Sequence, residues 1–226
     1  MIERLAKLPG EKVILFEPYY DSYRAGVAMA GGEAVFVTLR PASASGPGIV
    51  DRPFVFDEGE LRGAFAQRPR AILVNTPHNP TGKVFSKAEL ELIAKLCVEF
   101  DVIAITDEVY EHLVYDAALP HVRLATLPGM AERTITLSSL GKTFSLTGWK
   151  IGWAVASAAL TSAVRAAHQF LTFATATPLQ IGAAAALTGG GAYIGELVAD
   201  YAGKREFLSR ALAGLGLTVF KPAGTY

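Results

Sequence analysis

The sequence predicts an α/β fold: three layers, α/β/α, around a mainly parallel sheet. Three observations carry this. Short β-rich runs alternate with helical patterns along most of the chain. Several runs, such as Ala71–Asn75 (AILVN) and Val102–Thr106 (VIAIT), are apolar almost throughout, as strands covered on both faces are. Polar clusters follow one strand after another, and a parallel sheet gathers such clusters along one edge.

The elements follow in order. Lys12–Phe16 (KVILF) reads as a strand, and the segment from Tyr23 as a helix stopped by Gly31 and Gly32. Ala34–Leu39 (AVFVTL) is the next strand, and PASASGPG after it is a loop by its Pro, Gly and Ser content. DEGELRGAFAQ, from Asp57, is a helix that leads into the strand Ala71–Asn75. Ser86–Phe100 is the clearest helix: Ser86 and Glu89 have capping-box spacing, and Leu90, Ile93, Leu96 and Cys97 form an apolar stripe. Val102–Thr106, Arg133–Ser138 and Ile151–Ala156 are further strands. From Ala158 the pattern is helical, with breaks at Pro178 and at Gly189–Gly191.

The chain has 226 residues, 51% of them hydrophobic and 19% charged, which is a globular composition. Lys plus Arg number 21 and Asp plus Glu number 21, so no general electrostatic pull toward nucleic acid or an acidic membrane is expected. The single cysteine, Cys97, cannot form an intrachain disulfide and fits a reducing compartment. The opening residues lack a signal-peptide apolar core, and the run Ile151–Leu160 is too short for a bilayer, which needs roughly 20 residues. The expectation is a soluble, cytoplasmic protein.

Four clusters end strands: EPYYDSY from Glu17, NTPHNPTG from Asn75, DEVY from Asp107 and SSLGK from Ser138. Each has an ordinary reading when taken alone. Asp107 suits a helix N-cap, NPTG a turn, Lys142 a solvated loop, and Tyr20 and Tyr23 a core or an interface. Four together, each after a strand, point to one ligand crevice.

In combination, NTPHNPTGKVF, ITDEVYEHLVYD and SSLGKTFSLTGWKIGW resemble the class I and II aminotransferases, pyridoxal-phosphate enzymes of fold type I. EPYYDSY followed by MAGGEAVFV is similar to the branch of kynurenine, glutamine and methionine aminotransferases and cysteine-conjugate β-lyases. The resemblance implies the large domain of that fold and pyridoxal 5′-phosphate as cofactor, with no metal. It implies that Lys142 forms the aldimine and then shuttles the substrate proton, and that Asp107 pairs with the ring nitrogen. Asn79 and Tyr110 would bond the ring's phenolate oxygen, with Asn75 supporting the same loop. Tyr20 would stack on the ring, with Tyr23 the other choice. Ser139 and Lys150 would contact the phosphate, where many relatives carry arginine in place of Lys150; Gly148 would let the chain turn there.

The activity implied is transfer of an amino group between an amino acid and a 2-oxo acid. The alternatives are a β-lyase using the same cofactor, and a truncated, non-catalytic cofactor-binding module. A homodimer is implied as well. Both ends of the chain are abrupt, so residues 1–205 are expected to be a large domain lacking its N-terminal part, and 206–226 the start of a truncated C-terminal small domain. The phosphate-binding loop upstream and the carboxylate-gripping arginine downstream have no match here. His112, His121 and His168 are expected at the surface or in satisfied core positions, and the TGGGAY stretch as a helix break.

Overall fold

The computed structural model describes residues 10–43, 46–51 and 54–226. Expectations for residues 1–9 and for the middle of the loop after residue 41 lie outside them. Six strands form the main sheet in the order β2-β1-β6-β7-β8-β9. They are β1 (Lys12–Glu17), β2 (Glu33–Thr38), β6 (Ala71–Asn75), β7 (Ile103–Asp107), β8 (Thr134–Ser139) and β9 (Gly152–Val155). All neighbours are parallel except β8 and β9, which run antiparallel.

Alternation along each strand feeds two cores. Ile14, Phe16, Ile72, Val74 and Ala104 face one layer, with α2 (Glu58–Ala66) and α3 (Lys87–Glu99) over them. Val13, Leu15, Ala71, Ile103 and Ile135 face the other, against Val27 of α1 (Ser22–Met29) and Leu160 of α5 (Ala158–Leu171). Both faces are covered, so the strands read as unbroken apolar runs. Helix α3 starts as its sequence requires: Ser86 Oγ accepts from the Glu89 N–H, and the Glu89 carboxylate accepts from the Ser86 N–H at 2.8 Å.

A third, smaller apolar cluster secures the segment after β8. Leu140 of α4 (Leu140–Thr143) and Ile151 bury against Ala183 of α6 (Thr177–Gly189), with Phe144, Trp149 and Trp153 around them. The glycine triplet is indeed a helix break: α6 and α7 (Gly191–Gly214) meet at 78°. A Cβ on Gly190 would lie 2.2 Å from Phe144 Cε1 and 2.5 Å from the Ala186 carbonyl oxygen, so only glycine fits the bend. Among the described residues no single helix is long and apolar enough to cross a membrane.

The loop expected after Leu39 is more ordered than its composition suggests. β3 (Arg40–Pro41) pairs antiparallel with β5 (Phe54–Val55), and β4 (Gly48–Val50) pairs parallel with β10 (Thr218–Phe220). The partner of β4 comes about 170 residues later, which no local pattern announces. β10 joins β4 rather than the main sheet, and α7 runs unbroken across residue 205.

Candidate active site

Parallel pairing aligns the ends of the strands. Asn75 and Asp107 are register partners at the ends of β6 and β7. Asp107 is matched in turn with Leu137 of β8, and Ser139 pairs with Gly152 where antiparallel β9 begins. A cavity of about 360 Å³ opens at this edge. Its walls include Tyr20, Asn75, Asn79, Asp107, Tyr110, Ser139 and Lys142, and also Tyr23, Ser138, Thr147 and Tyr226. The amine and the acid, 35 positions apart along the chain, thus share one cleft.

Lys142 lies on the short helix α4, directly after β8. Its Nζ stands 4.7 Å from the centre of the Tyr226 ring and 5.6 Å from that of Tyr110. Those two rings are 5.4 Å apart, tilted at 42°. Burial, and then the neighbouring Tyr226, raises the Tyr110 phenol above its ordinary range, so it is a hydrogen-bond donor at neutral pH. Ser139 caps α4, its Oγ accepting from the Gly141 N–H at 3.2 Å.

Asn75 ties the asparagine loop to β7. Its Nδ2 donates to the Asp107 carbonyl at 2.8 Å, and its Oδ1 accepts from the Asn79 N–H at 2.7 Å. The Asp107 carboxylate accepts from the Tyr23 hydroxyl at 2.6 Å and from the Val109 N–H at 3.2 Å. Burial raises its pKa, and these two donors oppose that. The Tyr23 ring also meets Tyr20 edge-on, with centres 5.6 Å apart.

Lys150 stands outside the group that lines the cavity. It is exposed and closes the 3₁₀ turn Thr147–Trp149 with left-handed φ 55° and ψ 38°. The turn depends on left-handed Ser145 and Lys150, both at φ 55°, whereas Gly148 has no positive φ. The expected use of Gly148 is therefore corrected: the lysine itself adopts the strained conformation.

A buried polar network lies beside the site. Glu108 is fully buried and contacts His121 Nε2 at 2.8 Å. Ser138 Oγ donates to Glu111, which also pairs with Arg123 at 2.6 Å. Burial would raise the Glu111 pKa, but Arg123 and Ser138 outweigh it and hold the carboxyl below its usual value. His121 is thus bonded through Nε2 alone, its buried Nδ1 having no hydrogen-bond partner among the described residues, while His112 and His168 are exposed. Among the described residues no group of three or more His, Cys, Asp or Glu could hold a metal ion.

Sequence reasoning did not single out Thr147 or Tyr226, which lie in a turn and at the last position of the chain. For Tyr23, the spacing of three from Tyr20 was the available signal, but not its bond to Asp107.

Known proteins resemble this chain in sequence and in fold. The family model "Aminotransferase class I and II" matches residues 1–226. A probable N-succinyldiaminopimelate aminotransferase of Mycobacterium tuberculosis is 46% identical over 218 residues, 96% of this chain and 53% of that protein. Kynurenine–oxoglutarate transaminase 3 of Mus musculus is 43% identical over 225 residues, covering 96% of this chain and 49% of that protein. The solved N-succinyldiaminopimelate aminotransferase of M. tuberculosis superposes with a TM-score of 0.91 at 44% identity, over 100% of this chain and 58% of that one. The chain therefore spans about half the length of the curated relatives it matches. On its motifs, its fold and these matches, the chain belongs to the class I and II aminotransferases.

Proposed function

We propose that the protein moves an amino group between an amino acid and a 2-oxo acid with pyridoxal 5′-phosphate, the cofactor of its family. The carrying observation is that Lys142 and Asp107 line the same cavity as Tyr20, Asn79 and Tyr110. An amine, a buried carboxylate, an aromatic face and hydroxyl donors are the groups this cofactor needs, so the residues present fit it.

When bound, the cofactor supplies an aldehyde carbon open to amines and a ring that withdraws electrons. Lys142 would hold it through Nζ; once the substrate's amine takes its place, the freed nitrogen would accept the proton from the substrate α-carbon. The Asp107 carboxylate would accept from the ring nitrogen and keep it protonated. Tyr110 and Asn79 donate to the ring's phenolate oxygen, Asn75 holds Asn79 in place, and Tyr20 covers the ring face. Ser139 and Lys150 serve the phosphate, with Lys150 a point charge rather than a bidentate fork.

The relatives' names carry two kinds of donor, kynurenine and N-succinyldiaminopimelate, which supports an amino acid with a bulky side chain as substrate. We read residues 1–205 as the cofactor-binding domain and 206–226 as the opening of a second; β10 lies outside the main sheet, but it pairs with β4 and α7 crosses residue 205. Homodimer formation is supported by exposed Phe170, Leu171, Phe173 and Ile181 on and beside α5 and α6. A cytoplasmic location is consistent with the free, buried Cys97.

The test is absorbance. Pyridoxal 5′-phosphate added to the chain should acquire a protein-dependent visible band that Lys142→Ala abolishes. A band that survives in Lys142→Ala would overturn the assignment.

A further inference from the structure

We propose that Tyr23 is a positioning residue for the reaction: its hydroxyl aims the Asp107 carboxylate and keeps it ionised in a buried site. The inference rests on the proposed pairing of Asp107 with the cofactor's ring nitrogen.

The geometry is specific. Tyr23 opens α1, 84 residues before Asp107, yet its Oη lies 2.6 Å from Asp107 Oδ2. That length is typical of a hydroxyl donating to a carboxylate, a bond about twice as strong as a neutral one. The other oxygen, Oδ1, accepts from the Val109 N–H at 3.2 Å. With one donor on each oxygen, the carboxylate cannot spin, and its remaining lone pairs are left for the cavity.

The electrostatics argue for a donor at this place. Burial favours the neutral acid, and Glu108, next in the chain, adds a like charge. A protonated Asp107 could not hold a ring nitrogen in its cationic form. Tyr20 and Tyr110 stand around the acid, and Lys142 shares its cavity. Tyr23 can serve only as donor, because burial and then Asp107 itself push its phenol far above the ordinary range. The Tyr23 ring separately meets Tyr20 edge-on, a contact that phenylalanine would preserve.

The test uses Tyr23→Phe in the cofactor-free chain, labelled with ¹³C at aspartate carboxyls, with the Asp107 signal assigned from Asp107→Asn. The Asp107 midpoint should rise by about one unit in Tyr23→Phe, as expected for losing a hydrogen bond to the charged form. An unchanged midpoint would overturn the proposal. If Tyr23→Phe fails to fold, difluorotyrosine at position 23 provides the same test in reverse. Its more acidic hydroxyl donates more strongly and should lower the midpoint; no movement would again overturn it. In the cofactor-loaded protein, Tyr23→Phe should lower kcat about 10-fold with KM little changed, since the bond acts through Asp107; loss through KM alone would contradict it. Because the titration needs no cofactor, it decides on Tyr23 even if pyridoxal 5′-phosphate never binds, an outcome that would defeat the proposed function instead.

Discussion

The Asn75 side chain donates to the Asp107 carbonyl at 2.8 Å, across the register pair that ends β6 and β7. The same side chain accepts from the Asn79 N–H at 2.7 Å. One buried amide thus fastens two parts of the site, the acid's strand and the asparagine loop. Asn75→Ala should destabilise the fold by about 1–3 kcal/mol, because it strands buried partners. It should also weaken cofactor binding by loosening Asn79. Urea unfolding and an absorbance titration would check the pair; full stability would mean the loop is held elsewhere.

Asp107→Asn should retain the cofactor and lose turnover by about 100-fold or more, since a neutral amide cannot keep the ring nitrogen protonated. The measurement is kcat with an amino acid and a 2-oxo acid, beside the cofactor Kd. Near-normal turnover would remove Asp107 from its assigned place.

His78 lies buried in the asparagine loop, and burial, followed by the nearby Lys83 charge, lowers its pKa to about 4 from 6.5. Between those values the unfolded chain binds a proton that the folded one refuses. Stability is therefore full above pH 6.5 and declines as pH falls toward 4, by about 3 kcal/mol at most. His78→Gln should flatten this slope in urea midpoints taken across that range. Identical slopes would show that other groups carry the acid sensitivity.

Cys97 is fully buried in α3, and burial pushes its thiol up to about 12, with Arg133 pulling weakly the other way. A thiol reagent at mild alkaline pH should label the chain no faster than it unfolds. Rapid labelling of the folded chain would reveal an opening of the α3 face.

Local chemistry made much of this legible. The capping box at Ser86 and Glu89 and the apolar strands both follow from neighbours along the chain. The four polar clusters could be tied to one edge because parallel pairing leaves no other arrangement. What escaped were relationships with a distant partner. β4 needs β10, and a strand of three residues has no signature without its mate. The turn before Lys150 uses left-handed Ser145 and Lys150 instead of Gly148, since packing of Leu140, Ile151 and Trp149 against α6 sets the path of the backbone.

The sequence alone determined the alternation of strands and helices, the family, and the identities of the amine and the acid, because these depend on residue type and spacing. Only the tertiary structure decided that Tyr23 bonds Asp107, that Asn75 clamps the loop, and that Lys150 is outside the residues lining the cavity. Those are distances between side chains on separate elements, set by how the layers pack, and a linear order of residues does not contain them.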